Sequence, residues 1–366
     1  MPTVADILSA LDTIAPPSLC LGTDPRGLLI GDPQHPVPSL GVALDVTGDI
    51  VNAAADHGHT MLVTHHPLIY HPLRSLRTTD PFPSTVVSAC VRANMSVACA
   101  HTNWDVAPGG INDVLANLLG LTDLRPLRKT QDTELVMIVV FVPVESAETV
   151  RQALFAAGAG AIGNYDECAF NLRGTGMFRP LAGSNPTLGT HDVRESVDEI
   201  RIECIAQASR TDTIIAAARQ AHPYEEMAHF VTPLVNRIEP RGIGRIGVLP
   251  EPLDTETFLE NVGIALANQS VRSSAVSRSI RVVAVCGGAG AEFMGDALAK
   301  GADALVTSDI RHHEFVEARE RGFLLVDAGH AETETPGTLQ LARRLQSAFP
   351  GIAVRFHSPD GTSTTV

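Results

Sequence analysis

The chain has 366 residues, 44% hydrophobic and 19% charged, a globular balance too long for one ordinary core and suited to two or three domains. Its formal charge of -14 excludes a nucleic-acid backbone or an anionic membrane as the main partner, since either needs a basic face. No apolar run approaches the ~20 residues that span a bilayer and no signal-peptide pattern is present, so a cytoplasmic protein is expected, and six scattered cysteines without a Cys-x-x-Cys pair point to buried thiols.

In chain order, residues 3–15 predict an amphipathic helix. Thr3 caps it, Asp6 sits at the capping-box position, Val4, Ile7, Leu8 and Leu11 share a face, and Pro16-Pro17 stops it. A Gly/Pro-rich stretch through Ser39 leads to a buried strand over 40–46, a helix over 49–57 and a strand over 60–64. Residues 84–94 read as a helix with Val87, Cys90 and Val91 inward. The strand at 96–100 runs into His101-Thr-Asn-Trp-Asp105, and Gly109-Gly110 opens a helix aligning Ile111, Val114, Leu115 and Leu118. Such alternation predicts a parallel, helix-covered sheet.

From about Thr130 the pattern becomes strand 135–142, helix 147–157, one or two strands over 167–178, strand 199–206, helix 212–221 and strand 227–234. This β-α-β-β-α-β order is that of a ferredoxin-like α+β unit, and the turn-rich ends near 122–128 and 233–242 mark it as an insertion. The α/β alternation then resumes with a helix over 255–267 and a strand over 281–285. Here the first lobe repeats. At an offset of 243, Val42 falls on Val285, Gly58 on Gly301, Val63 on Val306 and Thr64 on Thr307. The expected organisation is therefore two pseudo-equivalent α/β lobes, 1–128 and 241–366, interrupted by an insert at 129–240.

Met61-Leu-Val-Thr-His-His-Pro67 carries the chemistry. Side chains alternate along a strand, so His65 and His66 converge on one point only if the strand has ended before them. Open parallel sheets bind ligands beyond the carboxyl ends of their strands. His65, His66 and Asp105 lie there in one lobe, His330 and Glu334 in the other. Three imidazoles and two carboxylates suit zinc, iron or manganese, and five ligands suit two bridged divalent ions better than one tetrahedral zinc. Asp105 is the first choice of bridge. His330 and Glu334 share a face if a helix begins beside them, and Pro336 requires that helix to begin close to Glu334.

Asp309 and His313 form an acid/base pair, orient a ligand imidazole, or simply occupy a charged surface turn. His101 is read as donating to a ligating carboxylate. Gly287-Gly-Ala-Gly290 lacks the third dinucleotide-fingerprint glycine, Phe293 standing there, though a phosphate at the following helix is reasonable. The His222-Pro-Tyr-Glu-Glu226 turn reads by composition as a solvated loop.

Together, Thr64-His-His-Pro67, His101-Thr-Asn-x-Asp105, Thr307-x-Asp309 with His313, and Gly329-His-x-x-x-Glu334 resemble the Nif-three-like dinuclear-metal family, known in bacteria as GTP cyclohydrolase 1 type 2 homologs. Gly163-Asn-Tyr165, Gly174-Thr-Gly176 and His222-Pro-Tyr-Glu-Glu226 look like the long members with a PII- or CutA-like insert. The resemblance implies that His65, His66, Asp105, His330 and Glu334 hold two metal ions between the lobes of a toroidal homohexamer. It implies metal-dependent hydrolysis of a nucleotide, ring opening of GTP by the family's name, with metal storage or delivery and regulatory interaction as other readings. A phosphorylated small molecule is the expected ligand. Departures fall outside the proposed ligands: Thr23-Asp24-Pro25 stands for the family's Trp-Asp-Asn, Ser308 for a glycine and His312 for a tyrosine.

Overall fold

The structure is a computed structural model that describes residues 1–77, 79–130, 134–163, 165–237 and 240–366. Asn164 of the Gly163-Asn-Tyr165 motif, and Ile238 and Glu239 in the turn-rich stretch near 233–242, lie outside the described residues.

The chain first forms α1 (Val4–Ile14), β1 (Gly27–Ile30), β2 (Ser39–Ala43), α2 (Gly48–Asp56) and β3 (Met61–Thr64). It continues through α3 (Ser84–Arg92), β4 (Ser96–Cys99), α4 (Thr102–Val106), α5 (Ile111–Leu118) and β5 (Thr122–Lys129). Next come β6 (Glu134–Pro143), α6 (Ala147–Ala156), β7 (Phe170–Phe178), β8 (Glu195–Gln207), α7 (Thr211–Ala221) and β9 (His229–Arg237). The last part comprises β10 (Gly242–Asp254), α8 (Thr255–Ala265), β11 (Arg272–Ser273), β12 (Ser279–Ala289), α9 (Met294–Ala299) and β13 (Ala304–Ser308). It ends with α10 (His312–Glu320), β14 (Leu324–Asp327), α11 (His330–Ala348), β15 (Ala353–His357) and β16 (Ser363–Thr365). Among the described residues no helix is long and apolar enough to cross a membrane.

Two compact units result, residues 1–131 with 241–366, and residues 132–240. The second unit is a four-stranded sheet in the order β7-β8-β6-β9, antiparallel at every pairing, with α6 and α7 in its β-α-β-β-α-β sequence. Its core gathers Val140, Val150, Leu154, Ile202 and Ile214.

The first unit contains two α/β lobes of matching register. In one, the parallel pairs are Leu40–Met61, Gly41–Leu62 and Val42–Val63. In the other they are Val283–Ala304, Ala284–Leu305 and Val285–Val306, the same three pairs displaced by 243. Leu62 packs with Val51, Ala54, Val86 and Cys90 from α2 and α3, while its counterpart Leu305 packs with Ala297 and Ala318 from α9 and α10. Crossover helices thus cover the same face of each lobe, as right-handed β-α-β connections require. Each fully buried Leu or Val in these layers contributes roughly 1.5–3 kcal/mol.

The sheets do not respect the boundaries read from the sequence. Sheet order in the first lobe is β1-β4-β3-β2-β15-β16, and in the second β11-β14-β13-β12-β10-β5. The chain end at β15 pairs parallel with β2, and β5, read as a turn-rich end, pairs antiparallel with β10. Each lobe borrows edge strands from the far part of the chain. Two helical faces also differ from expectation. Val91 is 59% exposed and Leu118 43% exposed, and Val86, Asn112 and Ala116 are buried in the helices concerned. Both exposed residues sit at the margin of an apolar stripe, where periodicity alone does not decide orientation.

Helix α11 begins at His330, earlier than Pro336 was taken to allow, and carries that proline internally. A proline there removes one helical hydrogen bond and costs about 3 kcal/mol in an ordinary helix. Side chains bond the nearby carbonyls: Thr333 Oγ1 donates to His330 O at 2.8 Å, Thr338 Oγ1 to Glu334 O at 3.1 Å, and Trp104 Nε1 to Gly337 O at 3.1 Å.

Candidate metal centre

Strand β3 ends at Thr64, and the backbone then turns so that both following imidazoles reach one place, their ring centroids 5.1 Å apart. Asp105 arrives from the one-turn helix α4 after β4. His330 and Glu334 come from the first turns of α11, after the corresponding strand β14 of the other lobe. All five therefore meet at strand carboxyl ends. His65, Asp105 and Glu334 are buried, 0%, 6% and 4% exposed, whereas the His66 and His330 side chains keep 23% and 37% of their surface.

Glu334 is the hub. Its Oε1 lies 3.6 Å from His65 Nε2, and its Oε2 lies 2.9 Å from His66 Nε2 and 3.2 Å from His330 Nε2. Asp105 Oδ1 lies 3.6 Å from His65 Nε2. Three groups that could hold a metal ion result among the described residues, His65 with Asp105 and Glu334, His66 with His330 and Glu334, and His65 with His66 and His101. The residue common to the two groups that include a carboxylate is Glu334, whereas Asp105, the sequence's first choice of bridge, is in one.

Each imidazole is fixed from outside. His65 Nδ1 donates to Ala100 O at 2.9 Å, His66 Nδ1 pairs with Asp45 Oδ1 at 2.8 Å, and His330 Nδ1 pairs with Asp309 Oδ2 at 2.7 Å. Holding Nδ1–H in this way turns the Nε2 lone pair toward the cluster, the usual support for a ligating histidine. Asp309 itself sits at φ 55, a left-handed conformation that Asp tolerates better than most residues. His313 lies exposed on the first turn of α10 and makes no hydrogen bond or ion pair among the described residues, so the structure does not join it to Asp309 or to the cluster.

The groups of the cluster are tightly coupled electrostatically. Burial pushes the Asp105 carboxyl up to about 6, His65 opposing and Glu334 adding to the rise. Glu334 is held well below the carboxylate range because the imidazoles, His65 foremost, outweigh its burial. Burial would lower the imidazoles, yet Asp105 and Glu334 raise His65, and Asp45 and Glu334 raise His66 to about 10. His330 rises to about 9, chiefly through its hydrogen bond to Glu334. His65 Nε2 and Asp105 Oδ1 are buried with no hydrogen-bond partner, a costly arrangement unless a positive centre satisfies both. The donor set fits zinc, iron or manganese.

The glycine loop has a different role from the one its sequence suggested. Gly287 N donates to Asn112 Oδ1, Gly288 N to Thr333 Oγ1 and Gly290 N to Thr307 Oγ1, so these amides are spent on side chains and do not cradle a phosphate. At Gly288, φ 63, an added Cβ would lie 2.2 Å from Glu334 Oε1 and 3.2 Å from His330 Nε2. Glycine is there to let the backbone approach the cluster.

Sequence reasoning missed the outer partners. Asp45 follows an apolar strand in the first lobe, a position equivalent to those already suspected, and was passed over. Asp24, in Thr23-Asp24-Pro25, lies 2.7 Å from His101 Nδ1 and accepts from Thr102 Oγ1 at 2.8 Å. His101 therefore leans on Asp24 rather than on a ligating carboxylate. One of its ring nitrogens is within 4.8 Å of ring nitrogens of His65 and His66.

The family model described as Duf34/NIF3 (NGG1p interacting factor 3) matches residues 2–361. A Halalkalibacterium halodurans protein named GTP cyclohydrolase 1 type 2 homolog is 39% identical over 325 residues, 88% of this chain and 87% of that protein. A Mycobacterium tuberculosis protein of the same name is 37% identical over 353 residues, 94% of this chain and 92% of its own length. Among solved structures, a Bacillus cereus protein related to NIF3 is 38% identical with a TM-score of 0.71, covering 97% of this chain and 96% of that one. Staphylococcus aureus protein SA1388 is 26% identical with a TM-score of 0.74, with the same coverage.

Proposed function

Since the chain belongs to the Duf34/NIF3 family, we propose that it is a dinuclear metal protein acting as a metal-dependent hydrolase on a nucleotide or a related heterocycle. The observation that carries this is the pair of buried, unpartnered donor atoms on His65 and Asp105 beside a Glu334 shared by two donor groups. His65, Asp105 and Glu334 would hold one ion, and His66, His330 and Glu334 the other. Bound there, such ions supply Lewis acidity and lower the pKa of water to near neutrality. The chain's own part is to present Nε2 atoms by fixing each Nδ1, to exclude water around His65, and to offer His101, braced by Asp24, as a group that holds or passes a proton at its free nitrogen. The half-exposed rim formed by His66 and His330 is the side from which a substrate reaches the site.

The test has two stages. Elemental analysis with anomalous diffraction at metal edges should find two ions at these donors. Metal-loaded protein should then turn over GTP or a related nucleotide, and Asp105→Ala should not. Two closed, fully coordinated ions and no turnover would sink the hydrolase reading. The same open rim favours a second reading, metal storage or delivery, which requires the ions to pass to a chelator or client on a timescale of minutes.

We further propose a homo-oligomer, a homohexamer by the family likeness. In its support, the second unit exposes Phe170, Leu172, Phe230 and Val235, the last at 93%. These residues lie on β7 and β9, the two edge strands of the sheet, and exposed apolar edge strands are ready sites of association. Light scattering that returned a monomer mass at working concentration would reject it.

A further inference from the structure

The second unit contains a cavity of about 400 Å³, within the range of small-molecule sites, and two of the sequence motifs left without a role build its walls. The first is the turn His222-Pro-Tyr-Glu-Glu226, whose two glutamates are exposed, as a solvated loop would have them, but whose histidine is buried. His222 is 8% exposed, its Nε2 donates to Phe141 O at 2.9 Å, and its Nδ1 accepts from Tyr224 N at 3.1 Å. A neutral imidazole satisfies both contacts, and burial lowers its pKa accordingly. The loop across from it is pinned to the same turn, Asn185 N donating to Glu225 Oε2 and Thr187 Oγ1 to Pro223 O, each at 2.7 Å.

The second motif is Gly174-Thr-Gly176. A Cβ on Gly176 would lie 2.2 Å from Glu199 Oε2, so only glycine lets the Glu199 carboxylate lie across that strand and into the cavity wall. Beside it, the Tyr224 hydroxyl is buried and directed at the Glu199 carboxylate. Burial and the Glu199 charge push that phenol up to about 12, and burial raises Glu199. Phe141, Phe178 and Tyr224 supply aromatic walls, with the Phe178 and Tyr224 ring centroids 5.9 Å apart. Three lining carboxylates, Glu199, Glu225 and Glu226, stand against one guanidinium, Arg179.

We propose that this cavity binds a small organic cation, an amine with an apolar or aromatic body. The ammonium would sit on the Glu199 carboxylate at the cavity wall, where a charge-assisted hydrogen bond is strong, and its apolar body would lie against the rings of Phe141 and Phe178. An anion of the same shape meets a net negative wall and is rejected. The site is independent of the metal centre and of the hydrolase reading.

The experiment uses the full-length, metal-loaded protein and isothermal titration with three probes that share a 2-phenylethyl body, 2-phenylethylammonium, 2-phenylethanol and 3-phenylpropionate. The cation should bind saturably, the alcohol more weakly and the carboxylate not at all. Glu199→Gln should weaken the cation roughly tenfold, in line with loss of one charge-assisted bond, and leave the alcohol unchanged. Binding of the anion as tight as that of the cation, or no saturable binding of the cation, overturns the proposal, and neither outcome depends on a variant that folds. A Glu199→Gln protein with parental melting behaviour and undiminished affinity for the cation overturns it as well.

Discussion

Asp309 Oδ2 accepts from His330 Nδ1 at 2.7 Å, tying the residue after β13 to the first residue of α11 beyond the neighbouring strand β14. The contact makes Asp309 a positioning residue for an imidazole whose other nitrogen faces His66 Nε2 at 3.3 Å. Asn tolerates the left-handed backbone at this position, so Asp309→Asn removes the charge with little strain. We expect metal affinity to fall about 10- to 100-fold, the usual cost of losing such a partner, with stability changed by less than about 0.5 kcal/mol. Competition against a chelator of known affinity measures it, and an unchanged constant would show that the contact plays no part in the centre.

Glu334 and Asp105 should behave differently on removal. Glu334 belongs to both donor groups that include a carboxylate and Asp105 to one. Glu334→Gln is therefore expected to abolish both ions, and Asp105→Asn to leave the ion held by His66, His330 and Glu334. Metal-to-protein ratios by elemental analysis decide the matter. Equal loss in the two variants would mean that Asp105, not Glu334 alone, links the two positions.

Much of this candidate centre was legible because its residues sit where strands stop. An apolar run ending in His65-His66, and a repeat aligning Val63 with Val306, are local patterns, and the paired registers Val42–Val63 and Val285–Val306 are their physical counterpart. What escaped detection depends on contacts distant in the chain. Residues 122–129 carry two arginines, a lysine, an aspartate and a proline, which reads as a turn, yet an edge strand accepts such residues because one side of its ladder faces solvent. The pairings of Asp45 with His66 and Asp24 with His101 join residues 21 and 77 positions apart, beyond the reach of any periodicity. Pro336 misled for the opposite reason: a local rule was overridden by tertiary packing, the helix burying Gly337, Leu341, Ala342 and Leu345 beyond the proline.

Gly288→Ala tests whether close backbone approach is needed at the cluster. The added methyl group enters a left-handed backbone at φ 63 and lies 2.2 Å from Glu334 Oε1. Left-handed backbone alone costs an alanine roughly 1–2 kcal/mol, and displacement of Glu334 adds to it. The variant should lose metal while its apoprotein unfolds in urea with a midpoint lowered by an amount equivalent to about 1–3 kcal/mol. Full metal occupancy in this variant would show that Glu334 has room the structure does not provide.

A second histidine group, away from the metal centre, should give the fold an acid sensitivity of predictable sign. His59 and His357 are 5% and 1% exposed, with ring centroids 5.4 Å apart. Burial lowers both to about 4; His357 and His57 add to the shift of His59, His57 to that of His357, and Arg355 to both. Their Nδ1 atoms face Ser39 Oγ at 2.9 Å and Ser363 Oγ at 3.1 Å, so no carboxylate on these elements offsets a proton. An unfolded histidine titrates near 6.5, so between about pH 6.5 and 4 the unfolded chain binds protons that the folded one refuses. Stability from this pair is complete above that window and is lost as pH falls through it. Discounting for solvent at the exposed His57 rim, the loss is on the order of 1–2 kcal/mol per histidine. Urea midpoints taken from pH 7 to 4.5 should decline less steeply for His59→Gln and His357→Gln than for the parent. Parallel slopes in all three proteins would mean that these imidazoles accept protons in the fold as readily as in the open chain.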